Sequence, residues 1–307
     1  MPDRDGRDGS ARVRLALIAV THFSDPGCPW AYSVNPALHV LRWRYGDQLD
    51  WRLVTIGLTE TGAQYEARGY TPLRQAHTQR LFRRYGMPFI AAPRRRVPGT
   101  GRACRAIVAT RLGAAEREWA VFRALQLGWF TTTHVLDEDA SLLEVLSTVP
   151  GIDATEIVAA IDGDEEVRAA YEADKAEART AEGSPTEAQG KARVTDGPVR
   201  YTAPSLLFES DGSRLEAGGF QTLEAYDVVI ANLDPSLERA GHAPDAAAVL
   251  ERFPEGVVTQ EAAAVMAPPL VPPDRDAAED QLIGLVAEGR AEKDPLGDDA
   301  LWRPVGP

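Results

Sequence analysis

The stretch Asp25-Pro26-Gly27-Cys28-Pro29-Trp30-Ala31 puts a thiol in a setting suited to chemistry. Proline favours the first position of a helix, because its missing N–H has no helical partner there. Cys28 is therefore expected at a helix start, where free backbone N–H groups and the helix dipole favour an anion. A thiol held in that way ionises with a pKa of roughly 3.5–7.5 instead of about 8.5, and the thiolate is the form that attacks disulfides. A lone cysteine elsewhere is more often a small packed hydrophobe.

Ala31 stands where a second cysteine would complete a C-x-x-C pair. Cys28 then has no near neighbour to resolve a mixed disulfide by intramolecular attack. Cys104 could replace it only if the two Cα atoms came within about 4.4–6.8 Å. Cys104 lies with Ala103, Ile107 and Leu112 on an apolar face and reads as core. What remains is monothiol exchange, in which Cys28 enters a mixed disulfide and a second, external thiol releases it.

Other residues near the thiol have chemical and plain readings. His22 either supports the Cys28 thiolate as a proton carrier or ends a strand half-exposed. Asp25, before Pro26, reads as a turn former. Trp30 is expected to cover the site as an apolar contact for substrates, or simply to pack. The run Pro93–Gly99, with Arg94, Arg95 and Arg96, is a basic spot that suits an anionic thiol or a partner, or is a solvated loop. Two cysteines and five histidines show no metal-ligand spacing. No glycine-rich nucleotide loop follows a strand.

These residues need elements to hold them. Residues 13–20 read as a short buried strand. Val34, Leu38, Leu41 and Tyr45 recur at helical spacing, with Gly46 as the stop. Residues 49–58 read as a second strand, and a parallel crossover between the two is the default geometry. Residues 61–198 read as a helical insertion, with helices over 72–86, 101–113, 115–130, 140–149 and 164–179. Residues 180–199 read as a loop or an exposed helix end. Strands return at 204–210 and 214–219 around an Asp211-Gly212 hairpin turn, and Thr222 caps a helix carrying Leu223, Tyr226, Val229 and Ile230.

Together, the segment 25–32, the arrangement of 41–54, the helix 101–113, and Thr202-Ala203-Pro204 with the following 205–226 resemble the DsbA-like thioredoxin-fold family, including its FrnE-type cytoplasmic dithiol oxidoreductases. There D-P-x-C-P-W-C is common. The resemblance implies an α/β thioredoxin-like fold, with a core over 13–60 and 199–235 and the helical insertion between them. It implies that Cys28 is the reactive residue, with Pro29 and Trp30 beside it. It also implies that Pro204 is a cis-proline next to the cysteine, so that Thr202, Ala203 and Pro204 border a substrate groove and the Ala203 backbone pairs with a bound peptide in strand-like fashion. Without the resemblance, Pro204 reads as an ordinary trans proline opening an edge strand.

The activity expected is thiol-disulfide exchange or isomerisation by a monothiol route. Two other readings stay open: an enzyme like the kappa-type glutathione transferases and hydroxychromene-carboxylate isomerases, or a non-catalytic adaptor. No bound cofactor is expected, only a low-molecular-weight thiol as co-substrate and a disulfide- or thiol-containing protein or small molecule as partner.

Residues 243–307 read as a separate winged-helix-like α+β module of three helices and a hairpin around Gly297, with Thr259 capping the second helix and Asp276 and Glu279 at capping-box spacing in the third. That third helix is acidic, so the module is expected to meet a protein partner and not DNA. Residues 1–12 are expected to form a flexible tail. With 307 residues, 44% of them hydrophobic, and a net charge of −13, the chain can bury a sizeable core and is unsuited to nucleic acid or anionic membranes. The apolar run 15–20 is too short to cross a bilayer. The expected place is the cytoplasm.

Overall fold

The computed structural model describes residues 17–306. The tail expected over 1–12, and the first residues of the strand expected over 13–20, lie outside the described residues. The strand itself, β1 (Ile18–Ser24), starts and ends later than expected. It runs on through His22, Phe23 and Ser24 because both neighbours continue to pair with it, parallel Leu53–Thr55 on one side and antiparallel Ser205–Leu206 on the other.

Two helices follow, α1 (Pro29–Ser33) and α2 (Asn35–Tyr45), and then β2 (Leu49–Thr55). The first strand–helix–strand unit is parallel. Val34, Leu38, Leu41 and Tyr45 are all buried, and Gly46 ends α2 with φ 52°.

The helical region holds α3 (Gly62–Ala67), α4 (Pro72–Phe82), α5 (Gly101–Gly113), α6 (Glu118–Thr131), α7 (Asp139–Leu146), α8 (Ala154–Gly163), α9 (Glu165–Ala178) and α10 (Pro185–Ala188). The side chains of Asp153 and Asp164 each accept two backbone N–H groups at the starts of α8 and α9. That satisfies donors a helix start leaves free, worth about 1 kcal/mol for each cap. The segment expected as loop contains α10 and β3 (Ala192–Arg193), which pairs with β4 (Arg200–Tyr201).

β5 (Ser205–Ser210) and β6 (Ser213–Gly218) then complete a four-stranded sheet in the order β2-β1-β5-β6. Asp211 and Gly212, both at positive φ, turn the hairpin. α11 (Leu223–Leu233) is capped by Thr222, whose hydroxyl accepts from Ala225 N–H at 3.4 Å.

The C-terminal residues form α12 (Ala246–Arg252), β7 (Val257–Val258), α13 (Thr259–Met266), α14 (Arg275–Ala287), β8 (Ala291–Leu296) and β9 (Asp299–Pro304), with a sheet in the order β7-β9-β8. Two caps differ from expectation. Thr259 is already inside α13, because its hydroxyl is engaged with Asp299 and Trp302. Asp274, two residues before the expected Asp276, caps α14 by accepting from Ala277 N–H.

One apolar cluster joins this module to Val40 and Trp43 of α2. The buried Glu261 of α13 accepts two hydrogen bonds from Arg123 of α6, at 2.8 and 2.6 Å. α2 is thus covered by the four-stranded sheet and by the C-terminal module. Among the described residues, no helix is long and apolar enough to cross a membrane.

Candidate active site

β1 delivers the chain to a tight turn and α1 receives it. Gly27 N–H donates to the Asp25 side chain at 2.9 Å, so Asp25 does form the turn. A Cβ on Gly27 would come within 2.6 Å of Thr100 and 2.9 Å of Trp129, so this position has room only for glycine. The other carboxylate oxygen of Asp25 accepts from Leu58 N–H at 2.8 Å and from the Thr100 hydroxyl at 2.9 Å. Cys104, fully buried in the core as expected, directs its sulfur at the same oxygen from 3.6 Å. Burial raises the Asp25 pKa despite these hydrogen bonds.

Cys28 is the residue just before α1, and its side chain is 6% exposed. Its Sγ donates to the Ala203 carbonyl at 3.1 Å, across the Ala203–Pro204 bond, which is cis. The expectation of a thiolate is therefore corrected. Burial pushes the thiol up to about 12; the Ala31 N–H pulls hardest the other way, the Asp25 charge adds to the rise, and the Trp30 N–H and Arg200 oppose it with smaller effects.

The magnitudes explain the outcome. The helix dipole by itself gives a charge at a helix start about 0.3–1 kcal/mol, and about 2 in favourable partly buried sites, so at most about one and a half pKa units; larger drops need cationic neighbours as well. Desolvation of a buried group can move it by about 3–5 units. α1 begins with Pro29, which has no N–H, so only the Trp30 and Ala31 amides act on the sulfur. The expectation of a free Ala203 backbone is corrected in part, because the thiol already occupies its carbonyl. Thr202 is held within the same loop, donating its hydroxyl hydrogen to Lys191 O at 2.7 Å and accepting from Ser205 Oγ on its own carbonyl.

His22 does not sit by the sulfur. It is fully buried, without a hydrogen-bond partner on either ring nitrogen, and stacks 6.0 Å from Trp119. Alternation along β1 puts it on the face opposite Phe23, and Phe23 belongs to the apolar cluster that holds Cys28. Trp30 is 39% exposed and packs against Phe82, Tyr85 and Phe220, at the rim of the pocket that Cys28 lines.

That pocket has a volume of about 460 Å³. The floor is Gly27, Cys28 and Pro29, and the walls are Tyr65, Tyr70, Phe82 and Trp129. Four arginines line it: Arg68, Arg94, Arg193 and Arg200. Among the described residues, none of the four meets a carboxylate within 4 Å. Arg94 folds inward onto the carbonyls of Trp129 and His134, whereas Arg95 and Arg96 pair with Glu138 and Asp137. The basic run thus contributes one guanidinium to the pocket, and acids neutralise the other two.

Sequence reasoning missed Tyr65, Arg68, Arg193 and Arg200. The signal available was only their type. They lie 37 or more positions from Cys28, and folding alone brings them to it.

The sequence profile of the DsbA-like thioredoxin domain matches residues 19–199. Among solved structures, the chain is similar to a probable DsbA oxidoreductase from Streptomyces coelicolor, at 16% identity and TM-score 0.50, over 71% of this chain and 91% of that one. It is also similar to a putative protein disulfide isomerase from Nitrosomonas europaea, at 19% identity and TM-score 0.49, over 70% and 97%. A third likeness is to the cytosolic disulfide reductase DsbM from Pseudomonas aeruginosa, at 19% identity and TM-score 0.47, over 71% and 98%. Among curated proteins nothing matches the chain.

Proposed function

The chain belongs to the DsbA-like thioredoxin family, and we propose that it is a thiol-disulfide oxidoreductase working through Cys28 alone, with a small anionic thiol as its co-substrate. The observation that carries this reading is a buried thiol on the floor of a pocket lined by four guanidinium groups without acidic partners, in a protein whose net charge is −13. Guanidinium groups suit carboxylates, with which they form paired hydrogen bonds.

The chemistry runs in two balanced steps. Cys28 loses its proton and its sulfur attacks a disulfide; the S–S bond breaks, a Cys28 mixed disulfide forms, and the departing thiolate takes up a proton. A second thiol then attacks the mixed disulfide, leaves as a new disulfide, and Cys28 regains its hydrogen. No net oxidant or reductant is needed beyond the entering thiol and disulfide. Ala31 supplies no resolving sulfur, so the second thiol must come from outside.

The raised pKa sets the pace. A thiol titrating near 12 is ionised at pH 7 in about one molecule in 10⁵, against about 3% for an ordinary thiol. The greater nucleophilicity of a basic thiolate makes up about 40-fold, so exchange is about 100-fold slower than at an ordinary cysteine. A basic thiol is also a poor leaving group, so its mixed disulfide persists. Cys28 therefore suits capture followed by slow release, in a reducing compartment such as the cytoplasm where free thiol is present.

The test is mass analysis after exposure to a disulfide of a small carboxylate-bearing thiol, beside its neutral ester. The expected result is one adduct on Cys28, formed faster with the anionic reagent and cleared by excess thiol. Absence of any adduct contradicts the reading. Turnover of an electrophile with free thiol and no covalent intermediate would instead point to transferase chemistry.

A further inference from the structure

A second cavity, about 220 Å³, lies behind β1, where α2, α6 and the residues after α12 meet. Its innermost wall is His22. Both ring nitrogens are buried and neither has a hydrogen-bond partner. Burial and the nearby Arg42 charge lower its pKa to about 3, so the ring is neutral and offers one N–H and one lone pair.

Gln126 stands nearby with the same shortage. Its oxygen accepts from Asn35 at 3.0 Å, but its buried amide nitrogen has no partner. Unmet polar atoms cost about 1–3 kcal/mol each when sealed away from any partner. Two such groups lining one cavity mark a place that is completed by something entering it.

The charges specify what can enter. Two guanidinium groups reach the cavity from α2 and α6. Arg123 is neutralised by Glu261. Arg42 is not: among the described residues its guanidinium makes no hydrogen bond or ion pair, and it lies 4.5 Å over Trp119 and 5.1 Å over Trp51. His39, also on the wall, engages Asn35 O and Glu261 through Nδ1 alone, which leaves its Nε2 without a partner among the described residues. At the exposed rim, Arg252 and Glu255 carry opposite charges, and Glu255 and Glu261 act on Arg42 from a distance without touching it. Arg42, Arg123 and Arg252 against Glu255 and Glu261 leave one positive charge in surplus, and Arg42 has no acid in direct contact. The remaining walls include the flat rings of Trp119, Phe122 and Phe253.

We propose that this cavity binds a small, flat organic carboxylate, with its carboxylate on Arg42, its planar body between the aromatic rings, and a hydroxyl or amide group reaching His22 and Gln126. A single free cation fits a monoanion better than a phosphate dianion. The volume falls below the range of about 300–1,000 Å³ typical of drug-sized ligands, which limits the guest to about one ring. The site draws on the sheet, the helical region and the C-terminal module together, so its occupant would strengthen their contact. It does not depend on Cys28.

The test uses 4-hydroxybenzoate as the probe on the full chain, read by titration calorimetry and by the histidine side-chain ¹⁵N resonances. Saturable one-to-one binding is expected, with a shift of the His22 ring nitrogens. Affinity should fall at least tenfold in Arg42→Met and for benzoate, which lacks the hydroxyl, and should stay unchanged in Cys28→Ala. The proposal is overturned if the wild-type protein shows no saturable binding, which would leave the cavity to water alone. It is equally overturned if the His22 resonances do not move, if Arg42→Met binds as tightly as wild type, or if inorganic phosphate binds as tightly as the probe.

Discussion

His22 and Cys28 lie six residues apart on one strand and its turn, and burial drives each to its neutral form by opposite shifts. Cys28 has a hydrogen-bond partner in Ala203 and opens onto a pocket whose arginines meet no carboxylate in direct contact. His22 has no partner and opens onto a cavity with one free arginine. Desolvation thus outweighs local helix or charge effects at both positions, and what each can do depends on what enters beside it.

Replacing Cys28 with serine gives the largest effect on the thiol side. Adduct formation with disulfides should vanish completely by mass analysis, because Cys104 is sealed in the core and burial raises its pKa as well. An adduct on Cys104 in that variant would break the contrast between the two cysteines.

Ala31→Cys should alter the outcome more than the rate of capture. Ala31 is buried one helical turn from the active sulfur. A thiol there can attack the mixed disulfide, so the adduct should give way to an internal disulfide without added thiol. Persistence of the adduct would mean that release is limited by access and not by the missing sulfur.

The His22 side is read through acid. A histidine whose pKa is lowered in the folded state stabilises the fold above about 6.5, and that stability is lost as pH falls toward the folded value. His22 at about 3 and His39 at about 4 place the loss between roughly pH 6.5 and 3. Each contributes a slope of about 1.4 kcal/mol per pH unit within its window. Denaturant unfolding as a function of pH should show this fall, and His22→Phe should flatten it by about one histidine's share. An unchanged slope would mean that His22 is charged or solvated.

Gly27→Ala is the mildest of these changes. It introduces a Cβ against Thr100 and Trp129 and should cost about 1–3 kcal/mol in unfolding free energy. A neutral effect would mean that the turn gives way more easily than its contacts indicate.

The sequence made much of this legible where local chemistry decides. Cys28 before Pro29 marked the helix start, Asp211-Gly212 and Gly297 marked hairpins, and the motif pointed to the cis bond at Pro204, all seen in the structure. It misled where depth decides. The thiol's neutral state follows from walls supplied by residues 58–82, 94 and 129–130, far away along the chain. His22 was legible in principle, since period-two alternation already sends it to the face opposite Phe23. The expected caps lie one or two residues out: α13 already includes Thr259, whose hydroxyl found tertiary partners instead, and α14 is capped by Asp274.

The central claim is that Cys28 rests as a protonated thiol despite its position at a helix start. Alkylation of Cys28, followed site by site in the mass spectrum from pH 5 to 11, tests it most directly. The account predicts a rate that rises about tenfold per pH unit through pH 10 with no plateau below it. A plateau reached by pH 8 would contradict it and return the sulfur to the thiolate form.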